Sequence, residues 1–205
     1  MSSDEETIKK GLIALPDLKE STKDNPLAET IDYAKEHGFS VVRLDKWGQM
    51  SDLEGKTLEE MHHLVEKAFT ALKDNDCNYI GVIGKGFGGQ LALTYPKNNS
   101  FEFMVLWAPT VELGDDSIDY WRSKNLIELE KLKEISIGLE RVSNIDSRVE
   151  IIHGTNDEEI GLENSQRIVE NLPGAKLKEI PDGDHSLNSR KAVSATEGML
   201  LFTDM

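Results

Sequence analysis

A glycine-rich segment at residues 84–89 is the first pattern in the sequence that could do chemistry. It reads Gly-Lys-Gly-Phe-Gly-Gly and lies between the apolar run Tyr79–Ile83 and a helix predicted from Gln90. Such a turn lets a ligand approach the backbone closely, and the amide groups that open the following helix favour an anion. The segment therefore marks a candidate site where a strand passes into a helix.

One interpretation of this segment is the dinucleotide fingerprint G-x-G-x-x-G, which Gly84, Gly86 and Gly89 match. That fingerprint usually follows the first strand of its fold, whereas this segment follows the third predicted strand. It is also typically followed, roughly 20 residues on, by an acid that binds a ribose hydroxyl. The next predicted strand ends in Leu-Trp-Ala-Pro at residues 106–109, without an acid. Dinucleotide binding is therefore kept only as a distant alternative.

The other interpretation is the nucleophile elbow G-x-S-x-G, a sharp turn from strand to helix. Gly84 and Gly88 stand at the flanking glycine positions, Lys85 precedes the central position, and Gly89 follows the motif. The central position, which normally carries the nucleophilic serine in a strained conformation, is occupied by Gly86. The segment therefore fits an elbow in all but the residue that attacks.

Two further segments contain an acid and a histidine at the ends of predicted strands. Residues 151–157 read Ile-Ile-His-Gly-Thr-Asn-Asp and end in Asp157, and residues 181–186 read Pro-Asp-Gly-Asp-His-Ser and contain His185. In a serine triad the histidine removes the nucleophile's proton and the acid orients the histidine. Asp157 and His185 follow position 86 in the chain order nucleophile, acid, histidine.

Taken together, the three segments resemble the α/β-hydrolase superfamily, and in particular its small esterases. The resemblance covers roughly residues 11–204 and implies Asp157 as the acid and His185 as the base. It implies a single domain over residues 1–205, with a helical cap inserted at about 111–146. It also implies a small ester or acyl compound as the partner.

The oxyanion hole that the resemblance implies would use the amide of Phe87 and a second donor from the turn after the first strand. That turn reads Pro16-Asp17-Leu18, where many members of the superfamily have His-Gly. Asp17 and Leu18 are therefore the candidates, although proline has no N–H and a carboxylate opposes a developing oxyanion. The two antiparallel strands that commonly begin the fold are not expected here, because only ten residues precede Gly11 in this sequence.

Because Gly86 has no hydroxyl, no acyl-enzyme can form there. The sequence thus predicts a serine-esterase-like protein that acts on or binds a small acyl compound and is inactive as it stands. A non-catalytic small-molecule binding or interaction protein is the alternative. Three explanations of Gly86 stay open: a natural non-catalytic member, an engineered Ser→Gly change, and an enzyme that uses His185 to activate water.

The remaining pattern consists of short apolar runs that alternate with amphipathic helices, which predicts a parallel α/β sheet with helices on both faces. About six mainly parallel strands are expected. The predicted strands are 11–15, 39–44, 79–83, 101–107, 149–152 and 175–180, and the predicted helices are 26–37, 57–72, 90–95, 162–172 and 189–203.

The composition excludes several partners. A net charge of −15 would repel a phosphate backbone, so no nucleic acid is expected. No apolar stretch approaches the roughly 20 residues of a membrane span, and the N-terminus lacks a signal-peptide pattern, which predicts the cytoplasm and no membrane contact. No cluster has metal-ligand spacing, so neither a metal nor an organic cofactor is expected. The sequence leaves the oligomeric state open.

Overall fold

The core of the fold is one sheet of six strands, all of them parallel, in the order β2-β1-β3-β4-β5-β6. The computed structural model describes residues 7–18, 20–23, 27–46, 57–95, 100–111, 142 and 145–201. The strands are β1 Lys10–Leu15, β2 Phe39–Arg43, β3 Tyr79–Lys85, β4 Phe103–Trp107, β5 Arg148–Gly154 and β6 Lys176–Ile180.

Helices cover both faces of this sheet, as the alternating pattern predicts. They are α1 Leu27–Glu36, α2 Leu58–Asp74, α3 Phe87–Thr94, α4 Leu162–Asn171 and α5 Arg190–Leu201. Because successive strand residues point to opposite faces, Leu12 packs with α1 and α5, whereas Ile13 packs with α2, α3 and α4. Each face therefore has its own hydrophobic core.

The predicted elements are found within a few residues of their observed bounds. The helix predicted from Gln90 begins three residues earlier, at Phe87, because the glycines at 88 and 89 form its first turn. A capping box precedes α2, since the side chains of Thr57 and Glu60 each accept from the other residue's backbone N–H. The predicted cap at 111–146 lies outside the described residues except for 111, 142, 145 and 146.

Parallel strands place their carboxyl ends at one edge of the sheet, where α/β proteins build their sites. The turns that follow β1, β3, β5 and β6 carry Asp17, Gly86, Asp157 and His185, respectively. The fold therefore brings together residues that are up to 168 positions apart in the chain. Among the described helices, none combines the length and the apolar character that crossing a membrane requires.

Candidate functional site

The turn between β3 and α3 is built on Gly86, which has φ 48° and ψ −114°. An L-residue reaches this conformation only with strain, whereas glycine adopts it freely. Its N–H donates to the carbonyl of Trp107 at 2.9 Å, and its own carbonyl accepts from the N–H of Thr110 at 3.1 Å. The turn is thus tied to the end of β4 and points the start of α3 toward the edge of the sheet.

The start of α3 lies directly against the end of β1. A Cβ placed on Gly88 would overlap the carbonyl oxygen of Leu15. The backbones of α3 and β1 are therefore too close at this point for any residue other than glycine. This close approach explains the glycine at position 88. It also brings the turn at 16–18 beside Gly86.

The predicted acid and histidine meet at the other side of the site. His185 Nδ1 lies 2.7 Å from Asp157 Oδ2, and both side chains are buried. The other oxygen of Asp157, Oδ1, accepts from the backbone N–H groups of Glu159 at 2.9 Å and Ile160 at 2.8 Å. The carboxylate is therefore fixed on its loop and holds the imidazole in one orientation.

His153, which the sequence places at the end of β5, supports this pair from behind. Its ring is fully buried, with Nδ1 2.6 Å from Ser165 Oγ and Nε2 2.8 Å from the carbonyl of Ile160. Nε2 also lies 3.3 Å from Asp157 Oδ2. His153 is thus a packed, hydrogen-bonded residue and helps to fix the loop that carries Asp157.

Asp17 is the residue whose position the sequence does not predict. Its side chain turns into the site, where Oδ1 accepts from the backbone N–H of Phe87 at 2.8 Å and of Leu18 at 2.7 Å. Its other oxygen, Oδ2, lies 2.7 Å from His185 Nε2. The amides of Phe87 and Leu18 converge as an oxyanion hole requires, but the Asp17 carboxylate already occupies them. We call the two amides, His185 Nε2 and the space above Gly86 the carboxylate cradle.

The carboxylate cradle has room for Asp17 only because position 86 lacks a side chain. A Cβ placed on Gly86 would overlap the Asp17 carboxyl carbon and both of its oxygens. The Asp17 carboxylate thus occupies the space that a side chain at position 86 would fill. It also occupies the space beside the two amides where an oxyanion would lie. Asp17 and Gly86 depend on each other sterically.

The charges of the site are those of an imidazolium between two carboxylates. Burial alone would favour a neutral ring, but hydrogen bonds to Asp157 and Asp17 raise the pKa of His185 to about 10. Burial alone would raise the pKa of each acid. Contacts with His185 nevertheless lower the pKa of Asp17, and contacts with His153 and His185 lower the pKa of Asp157. At neutral pH, His185 therefore donates from both ring nitrogens.

These shifts predict how stability depends on pH. The raised pKa of His185 contributes stability that is complete below about pH 6.5 and is lost as the pH rises toward about 10. The lowered pKa values of the two acids contribute stability that is lost as the pH falls below about 4. The free energy of unfolding, measured in urea from pH 5 to 10, should therefore fall over the alkaline range. For Asp17→Asn, the free energy of unfolding should fall less over the same range. Equal slopes for the two proteins would contradict the assignment of the raised His185 pKa to its contact with Asp17.

Lys85 precedes Gly86 in the turn. Its side chain is buried and forms an ion pair with Glu20 on the loop after β1. The positive charge of Lys85 also helps to lower the pKa of Asp17. Burial raises the pKa of Glu20 in spite of this pairing. Lys85 therefore anchors the loop that carries Asp17.

Asp45, which follows β2, anchors the same loop, and sequence reasoning misses it. Its carboxylate accepts from the N–H of Thr22 at 2.6 Å, from Thr22 Oγ1 at 2.8 Å and from Ser21 Oγ at 3.2 Å. Its position directly after a predicted strand is the available signal. This position does not indicate which loop Asp45 contacts until the sheet order shows that β2 lies beside β1.

The geometry also bears on the dinucleotide alternative. A pyrophosphate on the fingerprint glycines would need the N–H groups at the start of α3. The N–H of Phe87 is taken by Asp17, whose negative charge would repel a phosphate. The site thus disfavours this interpretation. Within the described part of the chain, no group of three His, Cys, Asp or Glu side chains is arranged to hold a metal.

Comparisons with known proteins identify the fold. No protein-family model matches the sequence, and no curated protein matches it. Among solved structures, Est1E from Butyrivibrio proteoclasticus, solved with ferulic acid bound, is 17% identical with a TM-score of 0.74, over 98% of this chain and 92% of that one. An esterase from Pyrococcus furiosus is 20% identical with a TM-score of 0.69, over 95% and 83%.

A third similar structure is the mouse α/β-hydrolase domain-containing protein 10, which is 17% identical. Its TM-score is 0.70, over 95% of this chain and 88% of that one. At these identities the likeness concerns the fold, and it extends over nearly the whole of each chain. With six parallel strands and helices on both faces, the chain has the α/β-hydrolase fold.

Proposed function

We propose that this chain is an esterase-like protein that does not catalyse acyl transfer. In this proposal residues 84–88 form a nucleophile elbow in which Gly86 stands in place of the serine. The observation that carries the proposal is the position of the Asp17 carboxylate, which accepts from the N–H groups of Phe87 and Leu18 and contacts His185 Nε2. The protein thereby holds its own anion where a substrate oxygen would bind.

The charges of the site argue against a covalent step through Asp17. A carboxylate that accepts three short hydrogen bonds, one of them from an imidazolium, is strongly stabilised as an anion and is a weak nucleophile. The same arrangement argues against activation of water. His185 carries a proton on both nitrogens at neutral pH, so it is not available as a base.

A serine at position 86 would overlap the Asp17 carboxylate, so a serine and this arrangement of Asp17 do not fit in one site. Asp17 fits its three donors with ordinary hydrogen-bond lengths once residue 86 is glycine. The observed position of Asp17 therefore requires glycine at position 86, whether that glycine is natural or engineered.

The role that remains open to such a protein is binding. A small acyl or carboxylate compound is the partner that suits the edge of the sheet, whereas nucleic acid and membrane surfaces do not suit a net charge of −15. The cytoplasm stays the predicted location.

The test is hydrolysis of a short-chain nitrophenyl ester by the wild-type chain and by His185→Ala. We expect equal rates, close to that of buffer, because no group at the site can form or hydrolyse an acyl-enzyme. Asp157→Asn serves as a second control, since it removes the acid that orients His185. A wild-type rate at least about tenfold above both variants would show a working catalytic centre and overturn the proposal.

A further inference from the structure

The carboxylate cradle is occupied by a carboxylate that belongs to the protein itself. Two of its three donors, the N–H of Phe87 and His185 Nε2, belong to α3 and to the turn after β6. The third, the N–H of Leu18, lies on the same loop as Asp17. If the Asp17 side chain leaves, the donors of α3 and of His185 stay in place, because Asp157 and the start of the helix hold them.

The size of the carboxylate cradle specifies the shape of its ligand. A Cβ at position 86 would overlap the carboxyl carbon and both oxygens of Asp17, so the glycine leaves space for a whole planar carboxylate. One oxygen meets the amide donors and the other meets the imidazolium. The carboxylate cradle therefore matches a trigonal carboxylate rather than a tetrahedral adduct at residue 86.

The charge of the carboxylate cradle specifies its sign. His185 is positive and Asp157 is negative, so the two together are neutral. The ion pair of Lys85 with Glu20 is neutral as well, so with Asp17 absent the N–H at His185 Nε2 and the amide at the start of α3 remain as the donors that attract one negative charge. An uncharged amide or alcohol of the same size would gain no such attraction.

We propose that the carboxylate cradle is a binding site for small monocarboxylates, in which Asp17 is a tethered internal ligand that a free carboxylate displaces. The proposal rests on the proposed absence of acyl transfer and names the ligand class of that same site. A tethered group competes at an effective concentration in the millimolar range or above. Free carboxylates therefore bind the wild-type chain more weakly than a chain without the Asp17 side chain.

Asp17→Gly tests this inference by emptying the carboxylate cradle. We expect saturable binding of acetate and formate by calorimetry, with a change in the His185 ring resonances, and no binding of acetamide. Asp17→Asn is the matched control, because its amide fills the same space without the negative charge: it should bind acetate more weakly than Asp17→Gly and more tightly than the wild-type chain. Adding His185→Gln to Asp17→Gly should weaken acetate binding about 10–100-fold, since a charge-assisted hydrogen bond is lost.

Folding of each variant is checked by its thermal transition, and Asp17→Ala replaces Asp17→Gly if the latter does not fold. The inference is wrong if folded Asp17→Gly or Asp17→Ala binds neither acetate nor formate. It is also wrong if His185→Gln leaves the affinity unchanged. The ester assay is a separate readout: a catalytically active wild-type chain would overturn the proposed function even where acetate binds, and absent acetate binding would leave the inactivity intact.

Discussion

Gly86→Ser alone should not hydrolyse short-chain nitrophenyl esters, whereas Gly86→Ser combined with Asp17→Gly should do so at least about 10³-fold faster than the wild-type chain. The single change restores the hydroxyl, but its Cβ would overlap the Asp17 carboxylate. The Asp17 side chain must then turn aside, but its negative charge stays close to His185 and opposes a developing oxyanion. The second change empties the carboxylate cradle and frees both amides for an oxyanion.

The double variant has the parts that acyl transfer needs. Asp157 already orients His185, and without Asp17 the pKa of His185 should fall, so that Nε2 becomes available to accept the serine proton. Initial rates and an acyl-enzyme burst measure the effect, and adding His185→Ala to the double variant is the control that should abolish it. Activity in Gly86→Ser alone would show that Asp17, once displaced by the serine Cβ, no longer opposes acyl transfer, and would contradict this prediction.

The sequence predicts which turns form the site, because each chemical motif directly follows a strand. That rule alone places Gly86, Asp157 and His185, since parallel strands necessarily bring such turns to one edge. The direction of the Asp17 side chain is not predictable in this way. A glycine at position 86 and an acid at position 17 are each ordinary locally, and their dependence exists only once β1 and β3 are neighbours.

Errors in the sequence interpretation have a similar origin. The adjacent residues His62 and His63 cannot bind one metal from one helix face, and the sequence suggests that both are surface or edge residues. His63 is exposed. In the structure His62 is buried, and its Nε2 lies 3.0 Å from Thr94 Oγ1 on α3. The ion pair of Lys85 with Glu20 is likewise not predicted from the sequence. In both cases the partner lies on another element, and a pattern within one element carries no information about such a partner.

His185→Gln should lower the free energy of unfolding by about 3–5 kcal/mol, the usual effect of removing one partner from a buried ion pair. His185 is the shared partner of Asp17 and Asp157, both buried and each 2.7 Å from one of its ring nitrogens. Without the imidazolium, the carboxylates of Asp17 and Asp157 remain in a site with little solvent. Urea unfolding at pH 6, where the ring is fully charged, measures the loss.

Asp17→Asn/His185→Gln is the matched control, because it removes one of the two stranded charges while preserving side-chain volume. Its amide oxygen can still accept from the N–H groups of Phe87 and Leu18, which now hold Asp17 Oδ1. The double variant should therefore be more stable than His185→Gln alone, with a coupling energy of at least about 1 kcal/mol. If the two changes add without coupling, Asp17 does not depend on His185 for its burial, and the internal carboxylate does not explain why a histidine stands at position 185 beside a glycine at position 86.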